Sequence, residues 1–96
     1  MRTEYIVAYD ISDPDRLRKV FKVMRGFGDH MQYSVFRCAL TRVERVRLQE
    51  SLSKVIHHTE DQVLFVHLGP RTVATRRRYS TLGRVLSHPV RYAVVI

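Results

Sequence analysis

Cysteine is nearly absent from this chain of 96 residues, which has only Cys38. One thiol excludes an intramolecular disulfide and a cysteine cage for a metal, and its apolar neighbourhood assigns Cys38 to the core. No hydrophobic run approaches the ~20 residues that a membrane span needs. The N-terminal stretch carries an acid at Glu4 and lacks the basic-then-apolar pattern of a signal peptide, so a soluble, cytoplasmic chain is expected. Walker loops, dinucleotide fingerprints, Ser-His-Asp elbows and Cys/His metal spacings are all missing, which excludes the chemistries those motifs support. The adjacent His57 and His58 need not converge on an ion and read as a polar turn; His30, His67 and His88 are isolated.

Acidic residues are also scarce, and none lies beyond Asp61. The chain has 17 Lys and Arg against 9 Asp and Glu, a net charge of +8 and an isoelectric point near 10.4. From Pro70 onward there are six arginines (Arg71, Arg76, Arg77, Arg78, Arg84 and Arg91) and no acid, whereas the preceding part holds eleven basic residues against nine acids. This asymmetry points to an anionic partner, foremost nucleic acid, because phosphate contacts supply most non-specific affinity. Lysine is confined to Lys19, Lys22 and Lys54. Arginine suits bidentate phosphate contacts, and an arginine excess equally follows from genomic base composition.

What is present is enough for one domain with a modest core, a size at which oligomerisation commonly adds stability. Residues 2–10 are almost continuously apolar and β-prone, which predicts a central strand covered on both faces. Asp13 before Pro14 is a helix start, and Leu17, Val20, Phe21 and Met24 form one apolar stripe. Gly26 and Gly28 are expected to end that helix in left-handed geometry. Residues 31–40 are strand-like, as one long strand or two short ones bent near Ser34. Thr41-Arg42-Val43-Glu44 fits a capping box opening a second helix, with Leu48, Leu52, Val55 and Ile56 on its inner face and Val43 and Val46 off it. Residues 62–68 are a strong strand ending at Gly69-Pro70, and residues 90–96 a final strand expected at a sheet edge, of this chain or a second copy. Residues 1–70 thus form the core, and residues 71–96 a basic tail of the same domain. The order of elements predicts an α+β, ferredoxin-like (split βαβ) sandwich with an extra C-terminal strand.

The first strand runs straight into Asp10. A carboxylate there is costly unless paired or used, so Asp10 either caps or pairs locally or serves chemistry.

Together, Tyr9-Asp10-Ile11-Ser12-Asp13, Arg16, Lys19-Val20, Gly28, Gln32-Tyr33-Ser34-Val35-Phe36 and Asp61-Gln62-Val63 resemble one family in order and spacing, over residues 3 to about 68. It is the small CRISPR-associated adaptation protein, the "Cas two" family, found beside the integrase known as "Cas one". The resemblance implies a ferredoxin-like homodimer whose C-terminal strand reaches the partner's sheet. It also implies Asp10 as catalytic ligand of Mg²⁺ (or Mn²⁺) in phosphodiester cleavage, with Tyr9, Ser34 and Phe36 lining the cleft. Arg16 and Arg18 would offset transition-state charge, and with Arg76, Arg77 and Arg78 would bind the nucleic-acid backbone. Asp13 reads as a cap, not a ligand. Two roles follow: an endonuclease acting on single-stranded RNA or duplex DNA, and a non-catalytic scaffold that holds duplex DNA while bridging integrase dimers. A toxin-like ribonuclease is the third reading.

Overall fold

The computed structural model describes residues 1–72, 74, 80–83 and 94–95. Strand β1 (Thr3–Asp10) leads into helix α1 (Pro14–Arg25), followed by strands β2 (Asp29–Gln32) and β3 (Val35–Leu40), helix α2 (Arg42–Val55) and strand β4 (Gln62–Pro70). Two short strands follow, β5 (Ser80–Thr81) and β6 (Val94–Val95). The main sheet has the order β2-β3-β1-β4, with all neighbours antiparallel. Each helix therefore crosses over one intervening strand, which is the ferredoxin-like fold.

Strand alternation sorts β1 into two faces. Tyr5, Val7 and Tyr9 are buried beneath the helices, joined by Phe36, Cys38 and Leu40 of β3, by Val20 and Met24 of α1, and by Leu48 and Leu52 of α2. Burial pushes the Cys38 thiol up to about 12, so it is an inert core residue. The other face carries Ile6 and Ala8, paired directly with Val66 and Leu64. Here the expectation of two covered faces fails. Val66 and Leu64 are 41% and 53% exposed, because both helices pack on the opposite side and leave this apolar surface bare.

Local signals produced the expected helix starts. Asp13 accepts hydrogen bonds from the Asp15 and Arg16 amides, both at 3.0 Å, with Pro14 following. At α2 the box closes in both directions, Thr41 N donating to Glu44 Oε1 (2.8 Å) and Glu44 N to Thr41 Oγ1 (3.2 Å). The end of α1 differs from expectation. Gly26 is right-handed (φ −77°), and the last carbonyls are satisfied by amides of the tightening turn: Gly26 to Val23, and Phe27 and Gly28 to Met24. Gly28 is needed for space instead, since a Cβ there would lie 2.4 Å from the Arg37 carbonyl oxygen and 2.5 Å from Cys38 Sγ. The bend near Ser34 is real and splits residues 29–40 into β2 and β3. Of the final strand predicted over 90–96, only Val94–Val95 is described, and it pairs in parallel with Ser80–Thr81, not with an edge of the main sheet.

One buried ion network crosses the uncovered face. Arg37 Nη1 donates to both carboxylate oxygens of Glu4 (3.2 and 3.1 Å), and its Nη2 donates to Asp29 (3.0 Å). Arg71 Nε lies 3.5 Å from Glu4, tying the start of the tail to the same carboxylate. Glu4 and Arg37 are only 3% and 4% exposed. Removing one partner of such a pair leaves a buried charge, so Arg37→Ala is expected to cost about 3–5 kcal/mol in urea unfolding, while Glu4→Leu combined with Arg37→Met restores most of it. A loss well below that range would show that the network does not hold β1, β2 and β3 together.

Candidate functional site

Asp10 is the last residue of β1, opposite Gln62 of β4, and is exposed. It has the parity of Ile6 and Ala8, so its carboxylate belongs to the uncovered face. Tyr9 turns to the helix side. It is buried on Phe36, with ring centroids 6.2 Å apart, and its amide donates to the Ser34 carbonyl at 3.0 Å. Burial pushes the Tyr9 phenol above its ordinary value, opposed by a hydrogen bond with the Ser34 side chain. Asp10 and the Tyr9–Ser34 pair thus occupy one end of the sheet on opposite sides. Phe36 does not line a cleft: its pairing with Val7 places it on the core side, fully buried against Phe21 and His30.

The corner after Asp10 is fixed by a residue to which the sequence reading gave no role. Asp61 accepts from Arg16 Nε (2.8 Å), Arg16 Nη2 (3.2 Å), the amides of His57 (2.7 Å) and Ser12 (3.0 Å), and the Ser12 hydroxyl (3.2 Å). Its side chain has no solvent exposure. The Arg16 guanidinium, assisted by those amides and the hydroxyl, holds the Asp61 carboxyl well below the usual carboxylate range. Reciprocally, Asp61 raises Arg16 above its ordinary value. One carboxylate therefore joins the β1–α1 corner, the first turn of α1 and the α2–β4 loop.

This geometry separates the two arginine candidates on α1. Arg16 is committed to Asp61 and Ser12 and positions the corner. Arg18 faces solvent, paired among the described residues with its helical neighbour Asp15, and such exposed pairs contribute little. Asp13 is the cap described above. His57 Nδ1 accepts from the Glu60 amide (3.2 Å) and His58 Nε2 bonds the Ser53 carbonyl (3.0 Å), so both are turn residues. Arg76, Arg77 and Arg78 lie outside the described residues. Among the described residues no group of three or more His, Cys, Asp or Glu is placed to hold a metal ion. In the sequence Asp61 stood out only as part of the Asp61-Gln62-Val63 piece of the family resemblance, just before a strong strand, with no role attached to it.

The depressed Asp61 value has a fixed sign in stability. Its contribution is present above the unfolded carboxylate value near pH 4 and is lost as pH falls towards the folded value. Asp61→Asn is therefore expected to lower Tm at pH 7, with the gap to wild type shrinking below about pH 4. A gap independent of pH would mean that ionisation of Asp61 does not hold the corner.

Comparison with known proteins places this geometry. The family model described as CRISPR associated protein Cas2 matches residues 3–76. A CRISPR-associated endoribonuclease Cas2 of Geobacter sulfurreducens is 37% identical over 92 residues, covering 96% of each chain. One of Thermodesulfovibrio yellowstonii is 49% identical over 63 residues, 66% of this chain and 69% of the relative. The crystal structure of Streptococcus pyogenes Cas2 superposes with a TM-score of 0.70 at 33% identity, covering 83% of this chain and 99% of that one. No helix among the described residues is long and apolar enough to cross a membrane. With the motif order, the ferredoxin-like sheet and these likenesses in agreement, the chain belongs to the Cas2 family of CRISPR-associated proteins.

Proposed function

We propose that this chain acts in CRISPR spacer acquisition as a homodimer that binds nucleic-acid backbone, bridges dimers of the "Cas one" integrase, and cleaves phosphodiester bonds with Mg²⁺ or Mn²⁺ at Asp10. The observation that carries the reading is the coincidence of an exposed Asp10 with a bare apolar face made by Ile6, Ala8, Leu64 and Val66. Apolar surface of this kind is the expected core of an interface between copies. A two-fold axis near Asp10 would set a second Asp10 opposite the first.

The donor set fits a hard cation on that basis alone. Mg²⁺ takes oxygen ligands, keeps several waters, and is commonly held by one or two carboxylates plus substrate phosphate. When bound, it supplies polarisation of a phosphoryl oxygen and a more acidic water. The chain's own residues do the rest: Asp10 and its two-fold mate hold the charge, the Asp61 clamp fixes the corner, and Arg18 meets phosphate from the exposed side of α1. Relatives named endoribonucleases support the hydrolytic part. A second reading, the non-catalytic scaffold for duplex DNA, is favoured by the single carboxylate that each chain contributes.

The interface is tested by Leu64→Glu. Sedimentation should show a wild-type dimer and a folded, monomeric variant, and a wild-type monomer at tens of micromolar would overturn the dimer. Chemistry is tested with labelled RNA and duplex DNA in Mg²⁺ or Mn²⁺. Asp10→Ala should keep the dimer and lose cleavage by roughly 100-fold or more, the scale of transition-state electrostatic contributions. Absent wild-type cleavage, or cleavage indifferent to Asp10, assigns the scaffold role.

A further inference from the structure

The helix side of the same sheet end holds a second feature that the Asp10 reading does not use. A hollow of about 560 Å³ opens between α1 and the β2–β3 turn, lined by Tyr9, Leu17, Arg18, Phe21, Tyr33 and Ser34. Phe21 also lines a separate hollow of about 470 Å³ with Arg25, Gly28, Asp29 and His30. Volumes of this order suit small planar ligands. The lining is mostly apolar and aromatic, with one cation, Arg18, at its edge, while Arg25 lies over the Phe21 ring (6.0 Å) and lines the second hollow. The one acid in the second hollow, Asp29, is paired with Arg37.

Tyr33 is the unusual member. It is 89% exposed, although a tyrosine at a turn tip gains nothing from burial there, and its φ of +38° lies in the left-handed region that non-glycine residues enter at a cost. The turn is held in that conformation. His30 packs edge-on against Phe21 (5.0 Å), and its Nε2 donates to the Tyr33 carbonyl at 2.6 Å. The phenol ring is thereby presented to solvent on a fixed turn beside an apolar hollow and the solvent-facing Arg18, whose guanidinium is paired with Asp15.

We propose that this hollow receives an unpaired nucleobase, stacked on Tyr33, with Arg18 on the adjoining phosphate. The proposal rests on the nucleic-acid reading above and deepens it, by assigning single-stranded segments to the helix side of the sheet while backbone binding of duplex needs no such site. Stacking on aromatic side chains tolerates any base, and a cation at the edge suits the backbone, so an aromatic hollow with Arg18 beside it suits a single strand of mixed sequence. A blunt duplex, whose bases are stacked and paired internally, offers the hollow nothing.

The test uses the full chain at one fixed salt concentration and three labelled probes: a deoxythymidine oligomer, an abasic oligomer of equal length, and a blunt duplex. Fluorescence anisotropy should show the base-bearing strand binding about 5- to 100-fold more tightly than the abasic one, the range that one stacked base supplies. Tyr33→Ala should erase that difference, Tyr33→Phe should keep it, and blunt-duplex affinity should be the same in all three proteins, with circular dichroism confirming the fold. Equal affinity for base-bearing and abasic strands, or an equal loss of strand and duplex binding in Tyr33→Ala, overturns the proposal and leaves the backbone-binding function standing. Wild-type protein that binds none of the three probes overturns that function as well.

Discussion

Two helices that both pack on the same side of a four-stranded sheet are the constraint on which this structure turns. The buried side takes Tyr5, Val7, Tyr9, Phe36, Cys38 and Leu40, and once it is filled the remaining parity of every strand faces outward. Among the described residues no third layer covers it. The sequence has answered this in two ways along one face. Toward one end Glu4, Arg37 and Asp29 form a buried ion network anchored to Arg71, and along the middle Ile6, Ala8, Leu64 and Val66 stay apolar. Asp10 completes the face at the other end.

The same economy governs the arginines. A charge of +8 suggests a generally phosphate-binding surface, but several cations are committed to the fold. Arg16 closes the Asp61 clamp, Arg37 holds Glu4 and Asp29, and Arg45 lies over the rings of Tyr5 (4.7 Å) and Phe65 (5.0 Å). Planar, always-charged guanidinium groups serve all three positions because they donate in a fork and stack on rings. Of the cations on α1, Arg18, Lys19, Lys22 and Arg25 remain exposed, so the outer side of this helix carries positive charge into solvent.

What could be read from the sequence was what is local. Asp13 and Thr41 cap their helices through residues two or three positions away, and the stripe Val20, Phe21 and Met24 follows from helical spacing, with Leu17 at its solvent edge. The misreadings share a cause in distant contacts. The Asp61 clamp joins residues 45 and 49 positions apart, and the Glu4–Arg37 pair joins residues 33 apart. No periodicity announces such pairs. Unbroken apolarity in β1 signalled a covered strand when it marked an unpartnered face, and Phe36, placed in a cleft by resemblance, is held in the core by its register with Val7.

Register also explains why one end of the sheet carries two different surfaces. Asp10 and Tyr9 are adjacent in sequence, and strand alternation sends them to opposite sides, so the carboxylate and the aromatic hollow open on different faces of the sheet. The Asp61 clamp and the Tyr9–Ser34 bond hold the two sides in fixed relation, one through the β1–α1 corner and the other through the β2–β3 turn. Rigid elements on both sides of one strand end therefore keep the carboxylate and the aromatic hollow at a fixed separation across the sheet.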